Sequence, residues 1–173
     1  MDFKKEKDLV TTFIAHIERS QYDVELVSWA SEFTFAGGQT DIIARSGQKD
    51  LYAFEAKLSN LAKVINQAFR NTSFADYSYV VLPEKKRKAA EKYIEEFKRR
   101  RIGLVFVNQE RAWTEITACR QLPLLPWLKD KAALNLQLRK NRNGGNTVLT
   151  LLAKPLAKND YGKYLYRIAG EKI

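Results

Sequence analysis

The sequence predicts an α/β domain built on one mixed sheet with helices on both faces, followed by a small, basic, mostly helical extension. Three observations predict it. Apolar residues recur at helical spacing in residues 6–19, 61–69 and 84–101. β-branched and aromatic residues concentrate in short runs at 24–35, 41–45, 51–58, 77–82 and 102–107. The first three runs follow one another directly and the later two alternate with helical segments, so a meander leads into crossover units.

The chain has 173 residues, 45% of them hydrophobic and 12% aromatic, enough for one compact domain with an appendage. With 4 Pro and 8 Gly it carries no low-complexity segment. No apolar run approaches the ~18–20 residues that span a bilayer, and the charged start MDFKKEKDLV lacks a signal-peptide core. One Cys and one His exclude an intramolecular disulfide and a zinc site of Cys and His alone. A cytoplasmic protein with no membrane partner is the expectation. The net charge is +10 and the pI about 9.7, which favours a polyanionic partner, nucleic acid first. From Lys129 onward ten basic residues face three acidic ones, a net +7, so the tail is the more electropositive part.

In chain order, residues 6–19 place Leu9, Val10, Phe13, Ile14 and Ile17 on one helical face. Residues 24–35 read as a strand, with room for a second short extended piece, before Gly37-Gly38 break the pattern. Residues 41–45 and 51–58 are strands about the polar turn 46–50. Ser59 or Asn60 caps a helix whose apolar stripe is Leu61, Val64, Ile65, Ala68 and Phe69. A strand at 77–82 ends at Pro83 and leads into a long basic helix at 84–101. A buried strand at 102–107 and an edge strand at 113–117 close the core. Pro123 and Pro126 mark a boundary, giving a core of 1–122 and a basic module of 123–173. In that module 127–140 and 147–157 read as helices, and 161–168 as helix or strand.

The chemistry concentrates in residues 40–57, TDIIARSGQKDLYAFEAK. Side chains alternate along a strand, so Leu51, Ala53, Glu55 and Lys57 share a face. A turn centred near Gly47-Gln48 sets Asp41 across the ladder from residues 54–56. Two carboxylates meet at the mouth of an apolar hairpin, with an ammonium two residues away, and like charges so placed repel. A hard divalent cation, Mg²⁺ or Mn²⁺, removes the conflict. Asp41 and Glu55 would be its carboxylate ligands and the Ala56 carbonyl a third. Lys57 would steer the attacking water or stabilise charge on the phosphorus centre. Glu84-Lys85-Lys86 and Glu96-Phe97-Lys98 repeat the E-x-K spacing, but in a basic helix where such triplets are solvated charges.

Asp41 followed by Glu55-Ala56-Lys57, with a helix before and after, resembles the PD-(D/E)xK nuclease superfamily, over roughly residues 3–108. The resemblance implies a restriction-endonuclease-like core, also found in Holliday-junction resolvases, and Mg²⁺-dependent cleavage of nucleic acid leaving a 5′-phosphate and a 3′-hydroxyl. It implies a further acid on the first helix, matched by Glu6 with Asp8 and Glu18 as rivals. It also implies a polar residue on the helix after E-x-K, matched by Gln67. Thr40 stands where the namesake proline of such families would be.

The function expected is that of a DNA endonuclease in repair, recombination or defence, with a homodimer compatible with cutting both strands. Lys63, Arg70, Arg139, Lys140 and Arg142 are candidate phosphate contacts. The alternatives are a non-catalytic nucleic-acid-binding module on the same fold and a transcription-regulator-like protein acting through its basic tail. His16 reads as a structural or surface residue rather than a general base, Cys119 as a buried thiol, and Trp29, Trp113 and Trp127 as core.

Overall fold

The computed structural model describes residues 3–35, 37–143, 155–158 and 164–166. Two compact units divide the chain, Met1–Arg139 and Lys140–Ile173. In the first, helix α1 (Glu6–Glu18) precedes strands β1 (Leu26–Phe35), β2 (Gly38–Ser46) and β3 (Leu51–Ala56). Helix α2 (Leu61–Asn71), strand β4 (Tyr77–Pro83), a 3-10 turn (Glu84–Lys86), helices α3 (Arg87–Glu91) and α4 (Ile94–Arg100), and strands β5 (Gly103–Val107) and β6 (Ala112–Ile116) follow. Helix α5 (Pro126–Asn143) comes last.

The six strands form one sheet in sequence order. β1–β2, β2–β3 and β5–β6 pair antiparallel, and β3–β4 and β4–β5 pair parallel. The sheet is therefore mixed, and the order predicted from the sequence holds. The predicted helix at 84–101 is two helices and a 3-10 turn, divided at Lys92 and Tyr93, where the Tyr93 N–H reaches back only to Ala90.

Strand alternation sorts the core into two layers. Ile42, Ala44, Phe54, Ala56, Tyr79, Val81, Val105 and Val107 face α1 and bury Leu9, Phe13 and Ile17. Their neighbours Ile43, Leu51 and Ala53 face the opposite way, with Phe33, Phe35 and Phe74. Val80, Leu82, Leu104 and Phe106 share that second face with Val64, Ile65 and Ala68 of α2 and Phe97 of α4. Phe69, expected on the buried stripe of α2, is half exposed under the guanidinium of Arg100, 5.0 Å from its ring centre. The stripe is completed by Asn71 instead.

Helix α5 packs on this second face as part of the first unit, not as a separate module. Leu128, Ala132 and Leu136, one turn apart, bury against the Phe33–Phe35–Phe74 cluster, so the first unit runs past the expected break at Pro123 and Pro126 to Arg139. Lys129 adds an ion pair at 2.7 Å to Asp76, which is buried and also accepts the Leu51 N–H at 2.8 Å. Trp127, adjacent to this stripe but off it, is exposed rather than core. Cys119 is exposed too, because Ala118 is the inward residue of that segment.

In the second unit, strands β7 (Pro155–Lys158) and β8 (Tyr164–Tyr166) pair antiparallel. The helix expected at 147–157 is thus corrected at 155–157, where Pro155 disfavours helix in itself and in the residue before it. The rest of that helix lies outside the described residues, and 161–168 resolves to strand over 164–166. No helix among the described residues is long and apolar enough to cross a membrane.

Candidate functional site

The β2–β3 hairpin sets the site. Its register, from Arg45↔Leu51 to Ile42↔Phe54, extends by one place to put Asp41 opposite Glu55. The turn is centred on Gln48, half a residue past the centre expected between 47 and 48, and the observed partner falls within the expected range of residues 54–56. Asp41 has the parity of Ile43, and Glu55 that of Ala53 and Leu51, so both carboxylates leave the sheet on the α2 face. β3 ends at Ala56 because Lys57 turns into the loop before α2, its N–H still bonded to the Val81 carbonyl at 3.1 Å.

Glu55 is 1% exposed. One of its oxygens, Oε1, accepts from Asn71 Nδ2 at 2.8 Å. The other, Oε2, is buried with no hydrogen-bond partner among the described residues. An orphaned buried oxygen costs about 1–3 kcal/mol. Burial pushes the Glu55 carboxyl up to about 7; Asn71, Arg70 and Lys57 oppose the rise and the Asp41 charge adds to it. Asp41 is also raised, by burial first, although Oδ2 accepts from the Ala56 N–H at 2.8 Å and Lys57 lies near. The charges of Glu6 and Glu32 add to that rise.

Lys57 donates from Nζ to Glu6 Oε2 at 2.6 Å, the pair being 19% and 43% exposed. Burial pulls the ammonium down, but the Glu6 hydrogen bond and the charges of Asp41, Glu6 and Glu55 outweigh it, and Lys57 ends above its ordinary value of 10.5. It is a cation throughout the neutral range. Of the three acids on α1, Glu6 is the one joined to Lys57; Asp8 caps the helix through the Lys5 N–H at 3.1 Å, and Glu18 is exposed at the far end.

Helix α2 supplies the other wall. Asn60 caps it, accepting the Lys63 N–H. Gln67 lies one turn before Asn71 on the same flank, and its Oε1 is buried without a partner among the described residues. Arg70 lies against the β1–β2 turn. Its guanidinium sits 6.0 Å from the Phe35 ring centre, and a Cβ at Gly38 would stand 2.9 Å from Nη2. Gly38 has φ +138°, a backbone conformation that side chains rarely adopt, so any other residue there would be strained even if the Arg70 guanidinium moved aside. Lys63 is exposed, further toward the start of the helix. Among the described residues neither Lys63 nor Arg70 has an acidic ion-pair partner. Arg139, Lys140 and Arg142 lie on the α5 backbone, and their side chains are outside the described residues.

Among the described residues no three His, Cys, Asp or Glu side chains converge as a ready-made metal cluster. A cation here would take Asp41, Glu55, the Ala56 carbonyl and waters, which is the ligand set Mg²⁺ accepts. The free Glu55 Oε2 is the observation that fits: it lacks what a cation would provide. The Ala56 N–H points to Asp41 rather than β4, and an extended residue carries its carbonyl on the same edge as its N–H.

No protein-family model matches the sequence, and no curated protein matches it. Among solved structures the chain is similar to the SPO1766 protein of unknown function from Silicibacter pomeroyi, at 15% identity and a TM-score of 0.51. The similarity covers 84% of this chain and 98% of that one. It is a likeness of fold.

Two residues escaped the sequence reading. Asn71, four residues after Gln67, is the partner that orients Glu55. Thr40 is buried and donates from Oγ1 to Asn71 Oδ1 at 2.9 Å, so Thr40, Asn71 and Glu55 form one chain of hydrogen bonds. The helical spacing of Gln67 and Asn71 was the available signal. His16 is structural rather than a surface residue, buried between Gln21 and the Asn108 carbonyl at 2.9 Å each.

Proposed function

We propose that this protein is a divalent-metal-dependent nuclease, a hydrolase of nucleic-acid phosphodiesters and of DNA first, on a restriction-endonuclease-like core. The observation that carries the reading is the unpartnered, buried Glu55 Oε2 opposite Asp41, with the Lys57 ammonium two residues on. Asp41, Glu55 and the Ala56 carbonyl would hold the metal. When bound, the cation supplies Lewis acidity toward a phosphoryl oxygen and a lowered pKa for an attacking water.

The chain's own groups do the rest. Ala56 N–H and Asn71 fix the two carboxylates in place before substrate arrives. Lys57, held as a cation, stabilises negative charge as it builds on the phosphoryl oxygens, rather than taking a proton from water. Glu6 orients that ammonium. Arg70 and Lys63, cations without acidic partners among the described residues, take flanking phosphates. Gln67 offers its free oxygen to a water or a substrate hydroxyl. The exposed Cys119 thiol is compatible with a reducing, cytoplasmic setting.

The test is incubation with supercoiled, linear and branched DNA in Mg²⁺ or in chelator. Cleavage is expected only with Mg²⁺, and Lys57→Ala or Asp41→Ala should abolish it while the thermal transition persists. Cutting that survives both changes sinks the reading.

A further inference from the structure

Strands β1 and β2 pair Ala30↔Ile43 and Ser31↔Ile42, then Phe33↔Thr40 and Phe35↔Gly38. The register is the same on both sides of Glu32, which sets it in the place facing Asp41. Its φ is +58°, the left-handed region, in the interior of a strand. That conformation resets the alternation, so Ala30 and Phe33 both bury in the same cluster although three positions apart. A glycine would adopt it freely; a glutamate adopts it under strain. Among the described residues no hydrogen bond or ion pair holds the Glu32 carboxylate, and its charge falls on Asp41.

Among the described residues, the carboxylates of Glu6 and Glu32 act on Asp41 and that of Asp41 on Glu55, opposed by the cations Lys57 and Arg70. Glu55 Oε2, buried and without a partner among the described residues, stands within this group. A divalent cation balances the excess. Three acids do not converge closely enough to bind it together, so an additional carboxylate would act through the cation's water shell.

We propose that Glu32 is a positioning carboxylate of this site, kept in a strained strand conformation to anchor the hydration shell of the divalent cation beside Asp41. The inference rests on the metal-dependent reading of the site, and it says why a glutamate occupies a position whose backbone suits glycine.

The test uses the full chain, Mn²⁺ alone as probe, and two readouts: calorimetric Mn²⁺ titration, and thermal unfolding in chelator. Glu32→Gly should raise the apo Tm by about 2–4 °C through relief of strain, while weakening Mn²⁺ binding about tenfold, as loss of an outer partner does. Glu32→Gln should weaken Mn²⁺ binding similarly without the Tm gain. Asp41→Ala should remove binding. Should both Glu32 variants bind Mn²⁺ as the parent does while Asp41→Ala does not, the inference fails and the nuclease reading stands. Should Mn²⁺ binding depend on Glu32 while no nucleic acid is cut, the inference stands and the nuclease reading fails. A parent chain that binds no Mn²⁺ overturns both.

Discussion

Asn71 holds Glu55 by one oxygen only: its Nδ2 donates to Oε1 at 2.8 Å and leaves Oε2 buried with no partner among the described residues. The same amide receives the Thr40 hydroxyl on its carbonyl side, so its orientation is fixed from β2. A carboxylate held this way is aimed without being satisfied, which suits a group whose second oxygen is meant for a ligand.

Asn71→Leu keeps the branched outline of the side chain and deletes both hydrogen bonds. It should cost about 1–3 kcal/mol in urea unfolding, since Thr40 and Glu55 lose their partner, and lower Mg²⁺ affinity by about 10–100-fold. Thr40→Val removes only the outer bond and should have the smaller effect on both.

Glu55 gives the apo protein a pH signature. Its carboxyl rises from 4.5 to about 7 on folding, so between those values the folded state holds a proton that the unfolded state has lost. Stability should be highest below pH 4.5, as far as this group decides it, and fall as pH rises through 7, by about 3 kcal/mol. Chemical denaturation in chelator from pH 5 to 8 measures the fall. Glu55→Gln should flatten it, and Mg²⁺ should reduce it, because the ionised carboxylate then has a partner. By the same linkage Mg²⁺ affinity should climb with pH through 7.

Lys57→Ala should lower the cleavage rate by at least ~100-fold while nucleic-acid binding in chelator changes little, as expected for a group that acts on developing charge. Single-turnover rates beside anisotropy titrations separate the two. An equal loss in both would make Lys57 a binding residue instead.

Arg70→Ala and Lys63→Ala should weaken nucleic-acid binding at every sequence tested and each flatten the salt dependence of log K by about one. Arg70→Ala should also raise Glu55 further, because the guanidinium charge holds that carboxyl down.

Shortening the chain separates two boundaries. A chain ending at residue 122 loses Leu128, Ala132 and Leu136 and exposes Phe33, Phe35 and Phe74; it should lose cooperative unfolding. A chain ending at 139 should keep it. Scanning calorimetry of the two decides whether α5 is part of the core.

The order of elements and the facing of Asp41 and Glu55 were legible because both rest on local periodicity: alternation in β2 and β3, and a polar turn of defined length between them. Glu6 and Gln67 were expected from resemblance to a family pattern; the structure sets Glu6 against Lys57 and Gln67 on the flank of Asn71. Glu32 and Thr40 were not legible, because each matters through pairing across strands. No pattern in residues 26–35 announces that one residue turns left-handed. The bounds of α5 against the core were hidden for a related reason: prolines at 123 and 126 look like a domain break, whereas burial of Leu128 depends on aromatic rings about ninety residues earlier. Phe69 shows the converse, an apolar residue in helical phase that lies one step off the buried stripe.

Asp76 carries a consequence of its own. It pins the first N–H of β3 while its other contact reaches α5, and Glu55 lies four residues further along that strand. A one-residue slip of the hairpin would turn Phe54 toward α2 and Glu55 into the apolar layer beneath α1. The buried acid at the far end of the strand thus serves as a ruler's zero mark, from which the position of the Glu55 carboxylate is counted.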